Sequence, residues 1–137
     1  MLEVESLGRE WATLQHDYEQ YEKGGLLIKL FAIALCMAGF AFSLLALPLV
    51  LSLFALWLQE AIFRTFQARL GARIQRIEKA LAENVAIIPF QLHAEWQASR
   101  PGTRGLLAEY TCAALRPTVA FPHVLLLILV PLWLPVG

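Results

Sequence analysis

Residues 25–59 make up about 35 positions of nearly unbroken apolar character, interrupted only by Lys29, Ser43, Ser52 and Pro48. At about 1.5 Å per residue, one straight helix over this block would be roughly 50 Å long. A hydrocarbon core is only about 30 Å thick and is crossed by about 20 residues, and tilt does not absorb the excess. Two short spans folded back on each other do. The block therefore predicts a membrane hairpin with spans near residues 26–42 and 47–62 and a turn at 43–47. Pro48 then falls in the first turn of the second helix, where its missing N–H costs nothing. The turn is so apolar that stopping inside the outer leaflet is an alternative to emerging. Trp57 and Phe63 are candidate anchors at the opposite interface.

Composition agrees with a lipid-embedded chain. Hydrophobic residues make up 58 % of the 137 and charged residues 16 %, against about 25 % charged in ordinary globular domains. Net charge is zero, so no electrostatic footprint for nucleic acid is present. Little chain remains for a separate soluble core, and the expected class is one all-α, polytopic membrane domain. The acidic N-terminus and the late onset of the apolar run, near residue 24, argue against a cleavable signal peptide. Cys36 and Cys112 are expected at different depths, without a bridge.

Polar helices flank the apolar block. Val4, Leu7, Trp11, Leu14, Tyr18 and Tyr21 step by 3, 4, 3, 4 and 3, the seam of a coiled coil. Acidic residues dominate between them, which disfavours the rival reading as a surface-bound amphipathic helix, since those are usually basic. Beyond the second span, Phe66, Leu70, Ile74, Ile77 and Leu81 form a matching stripe beside Arg64, Arg69, Arg73, Arg76 and Lys79. Residues 1–23 and 63–84 thus predict two stalk helices, with Gly24–Gly25 marking the entry to the membrane or a flexible joint there. Together residues 1–84 read as one long antiparallel hairpin.

If the chain folds back between Leu44 and Leu45, residues whose numbers sum to about 89 share a depth. Lys29, inside the apolar block, and Glu60, directly after it, then lie level and form a candidate intramembrane ion pair, since a charge in lipid finds a partner or snorkels. The same rule sets Tyr18 by Gly71, Leu14 by Ile74 and Glu10 by Lys79.

Residues 85–117 predict short cytoplasmic or interfacial helices around 91–99 and 103–116, punctuated by Arg100-Pro101-Gly102 and Pro117. Residues 118–137 are apolar apart from His123 and predict a third span. Pro122 is expected to be tolerated near its start, Pro131 and Pro135 to kink or fray its end, and no tail is expected on the far side. Lys and Arg concentrate between the second and third spans and are absent from the turn and after Arg116. The positive-inside rule then puts the N-terminus in the cytoplasm and the C-terminus outside, in a bacterial inner membrane.

Catalytic patterns are not found. His16, His93 and His123 lie on three separate elements without metal-ligand spacing, and no nucleophile elbow or phosphate-binding glycine loop is present. His123 alone stands out, as an ionisable group at the edge of a span. No cofactor is expected. The expected function is a non-enzymatic membrane assembly or scaffold subunit, with the lipid bilayer and either a second copy or a membrane protein as partners. A small pore-forming or membrane-perturbing effector is the alternative, motivated by the thin polar stripe Lys29, Cys36 and Ser43. An accessory subunit of a transporter or membrane enzyme is a further one.

Overall fold

A computed structural model describes all 137 residues. The chain forms five helices and no strand: α1 (Leu2–Ala41), α2 (Ala46–Glu83), α3 (Leu92–Ala98), α4 (Thr103–Ala114) and α5 (Pro117–Trp133). Two of them, α1 and α2, are long and apolar enough to cross a membrane.

Neither long helix divides into a span and a separate stalk helix. α1 runs through Gly24 and Gly25 unbroken, so of the two sequence readings there the flexible joint is not formed. A Cβ on Gly24 would stand 3.0 Å from the Phe63 ring, and one on Gly25 would stand 3.3 Å from Arg64 Nη2. The glycines let α2 approach closely, and that packing outweighs the penalty of about 1 kcal/mol that each carries inside a helix. α1 then ends in a Schellman turn: Ser43 is left-handed (φ 50°), Leu44 N–H donates to Gly39 O at 3.0 Å, and Ser43 N–H to Phe40 O at 3.4 Å. These bonds satisfy carbonyls that a helix end leaves free.

α2 returns antiparallel to α1, and two apolar clusters form. Ala32 and Cys36 of α1, Ala46, Leu49 and Leu53 of α2, and Leu126, Val130 and Leu134 from the C-terminal segment make one. Leu7, Leu14, Leu70, Ile74 and Ile77 make the other, with Trp11, Tyr18 and Tyr21 packed against it. Three stripe residues lie outside this core: Val4 is 59 % exposed, Phe66 36 % and Leu81 37 %. Val4 faces outward because α2 ends at Glu83, short of the position opposite it. Phe66 sits at the margin, 6.3 Å from the Tyr21 ring.

The third apolar segment departs from a plain helix. Pro122 is not absorbed: Phe121 is extended (φ −81°, ψ 131°) within the range of α5, as the residue before a proline tends to be. α4 and α5 meet at a bend of 72°. Past Phe121 the segment climbs beside the hairpin until Pro135 O accepts Ala46 N–H at 2.9 Å, so its far end lies against the α1–α2 turn.

Truncating Ile77, which is fully enclosed, to alanine should cost about 2–5 kcal/mol of stability. Val4→Ala should change stability by no more than about 0.5 kcal/mol. Denaturant unfolding of the detergent-solubilised chain, followed by circular dichroism, measures both.

Candidate functional site

Between the two apolar clusters lies a buried ionic centre. Glu60, on α2, has no exposed surface. Lys29 Nζ of α1 stands 3.1 Å from its Oε1, without the alignment of a hydrogen bond. His123 Nε2 of α5 lies 2.8 Å from its Oε2. Arg64 Nε, one helical turn along α2, is 3.8 Å from Oε1. His123 Nδ1 is buried and makes no hydrogen bond.

Proline chemistry explains how Lys29 also reaches α5. Pro122 has no N–H, so the carbonyl four residues earlier, that of Thr118, has no intrahelical donor. Lys29 Nζ supplies one at 2.5 Å. A single ammonium thus holds a carboxylate of α2 and a stranded carbonyl of α5. The fold-back arithmetic puts Lys29 level with Glu60, but it gives no hint that His123 completes the centre. The available signal is that all three are ionisable groups at the margin of apolar segments.

A second ionic knot lies in the polar half. Arg73 Nε and Nη2 grip the two oxygens of Glu10 at 2.8 and 3.1 Å, Nη1 meets Glu95 at 2.6 Å, and Nη2 also donates to Ile88 O at 3.0 Å. Glu10 further accepts the Phe90 N–H at 2.7 Å. The expected Glu10–Lys79 pairing is not formed; Lys79 lies 3.9 Å from Glu83 of its own helix. A planar guanidinium can satisfy both carboxylate oxygens at once while buried, whereas an ammonium is a point charge that prefers water. The knot ties residues 88–95 to both long helices.

Burial alone would raise the Glu10 carboxyl, but the Arg73 fork and the Phe90 N–H overcome it and hold it below the ordinary carboxylate value. The hydrogen bonds from Arg64 and Gln67 lower Glu22 in the same direction. The other sequence candidates are dispersed. His16 and His93 are exposed, Cys112 is exposed, and Cys36 lies inside the apolar cluster. Trp57 is not a free anchor: its Nε1–H donates to Ala114 O at 3.0 Å, binding the end of α4. No three His, Cys, Asp or Glu side chains stand close enough to hold a metal ion.

Family models, curated proteins and solved structures were all compared with the chain, and none matches it.

Arg73→Met should destabilise the protein by about 3–5 kcal/mol, because it strands the Glu10 carboxylate. Lowered carboxyls stabilise the fold above their unfolded value and lose that contribution as pH falls through the folded one. The deficit of Arg73→Met should therefore persist at neutral pH and shrink as acid is taken below about pH 4.5, the unperturbed glutamate value. Paired denaturant titrations across that range provide the check.

Proposed function

We propose that the chain is a non-enzymatic integral membrane subunit of a bacterial inner membrane, in which α1, α2 and the C-terminal segment form the lipid-embedded base. Leu27, Phe31, Met37, Leu51, Phe54 and Leu132 are each more than half exposed, a belt that is unfavourable in water and at home in acyl chains. From Gly24 to its end at Ala41 α1 rises about 26 Å, close to one hydrocarbon thickness. The ionic centre then lies just inside the polar boundary. The basic residues of α2 and α4 favour a cytoplasmic polar lobe, with the turn and the C-terminal segment directed outward.

The observation that carries the docking role is a second apolar surface, at the opposite end. Leu2, Val4, Leu81, Val85, Ile88 and Phe90 are exposed where α1 begins and α2 ends, beyond the reach of lipid in this arrangement. A coiled-coil-like stalk that ends in such a patch suits attachment to a second copy or a membrane protein partner, including a transporter or membrane enzyme. A pore is less well supported. Lys29 is committed to Glu60 and Thr118, and Cys36 is packed among Ala32, Leu49 and Leu53, so of the polar stripe only Ser43 is exposed.

Two measurements test this reading. An impermeant maleimide should label the exposed Cys112 in inside-out vesicles and spare it in spheroplasts; the reverse pattern contradicts the orientation. Crosslinking in native membranes should yield a larger adduct that Ile88→Glu with Phe90→Glu abolishes. Monomers alone, with nothing co-purifying, would end the docking proposal.

A further inference from the structure

We propose that the arginine-walled cleft between α2 and the α3–α4 pair is a binding site for a phosphate group, occupied in the membrane by the headgroup of an anionic phospholipid. The phosphate chemistry stands on the cleft itself; its lipid source rests on the membrane placement proposed above. The cleft encloses about 670 Å³ and is walled by Arg64, Arg69, Arg73, Arg76 and Arg116, a volume that suits a small ligand or headgroup.

The five guanidiniums are not equally committed. Arg73 is saturated by Glu10, Glu95 and Ile88 O, and Arg76 lies 2.8 Å from Glu95. Arg64 gives one nitrogen to Glu22 and Gln67, yet its Nε is buried without a hydrogen bond. Arg69 is the outlier. Its Nε and Nη2 are both buried and unbonded, and its nearest carboxylate, Glu109, stands 3.7 Å away. Arg116 forms no ion pair.

Buried donors without acceptors are costly and rare in folded proteins. Arg69 is nevertheless held in place, its guanidinium 4.4 Å from the centre of the Trp96 ring and 5.1 Å from that of Phe66. A rigid fork with two unbonded N–H groups fits an oxyanion that can accept several hydrogen bonds at once, and phosphate is the common one. Glu109 lines the same cleft and competes for that fork.

Position suggests the source. Arg64 is one turn beyond Glu60, Arg116 directly precedes α5, and Trp57 is bonded to Ala114 between them. The end of the cleft formed by Arg64 and Arg116 therefore adjoins the apolar belt, which in the proposed arrangement is the cytoplasmic headgroup level. Basic pockets between helices on that side are suited to anionic headgroups.

The test uses the full chain. In lipid-free detergent it is titrated with inorganic phosphate and its thermal midpoint followed. In nanodiscs of phosphatidylcholine with phosphatidylglycerol, native mass spectrometry counts the lipid retained after release. Phosphate should raise the midpoint, and phosphatidylglycerol should be retained over phosphatidylcholine and displaced by phosphate. Arg69→Gln and Arg116→Gln, with circular dichroism unchanged, should each weaken both effects about tenfold or more, and Glu109→Gln should strengthen them.

A midpoint shift without lipid retention would support the phosphate site and assign it to a soluble ligand. Absence of both, or retention unaffected by Arg69→Gln, would overturn the site. Equal binding by Arg69→Lys would also overturn it, since a point charge would then suffice. The detergent arm needs no bilayer, so its failure is separable from failure of the membrane reading, which the Cys112 labelling addresses.

Discussion

The carboxylate of Glu60 sits in an apolar stretch of α2 with no exposed surface, and the arrangement of the three apolar segments follows from what it requires. In lipid, helices gain little from burying one apolar surface against another, because acyl chains are as apolar as leucine. Polar contacts therefore weigh more in choosing partners there than they do in water. Glu60 takes Lys29 from α1 and His123 from α5, and Lys29 continues to the Thr118 carbonyl that Pro122 leaves without a donor. Each helix supplies something that another needs, which fixes their relative rotation and depth together.

The polar half solves a similar problem with different means. There α1 and α2 share an apolar cluster, and in the proposed arrangement water supplies the drive to form it. The Arg73 knot adds specificity, reaching across to Glu10 and down to residues 88–95. One buried glutamate with cationic partners organises each half: Glu60 beside the apolar cluster shared with α5, and Glu10 beside the cluster that α1 and α2 form alone. Between them lies the cleft in which the guanidiniums of Arg69 and Arg116 make no hydrogen bond, at the headgroup level of the proposed membrane arrangement.

Much of this was legible from sequence, and the omissions have physical causes. A 35-residue apolar block is too long for one span, and the two long helices follow from it. Fold-back arithmetic puts Lys29 level with Glu60 because side-chain depth on an antiparallel pair depends only on residue number. That arithmetic fails for Glu10, which pairs with the fork of Arg73 while Lys79 turns to Glu83 of its own helix. It is also silent about His123, since a partner 63 residues away on a third element leaves no periodic trace. Pro122 is misjudged when treated as an early, harmless proline. Its effect falls on Phe121 and on the Thr118 carbonyl, which is why the third segment bends where it meets the ionic centre. The exposed ends of the seam, Val4 and Leu81, follow the heptad correctly but lie outside the core that the chain forms by itself.

The central claim is that Glu60 holds the C-terminal segment to the hairpin. Electron–electron distances in nanodiscs test it most directly, with spin labels at the exposed positions Phe31 and Val124 and a second pair at Phe31 and Leu51 reporting on the hairpin alone. With Glu60 intact, both pairs should give one narrow distribution. Glu60→Leu should broaden and lengthen the Phe31–Val124 distribution while leaving Phe31–Leu51 narrow. An unchanged Phe31–Val124 distribution in Glu60→Leu would contradict the account, because the segment would then be held by apolar packing without the carboxylate.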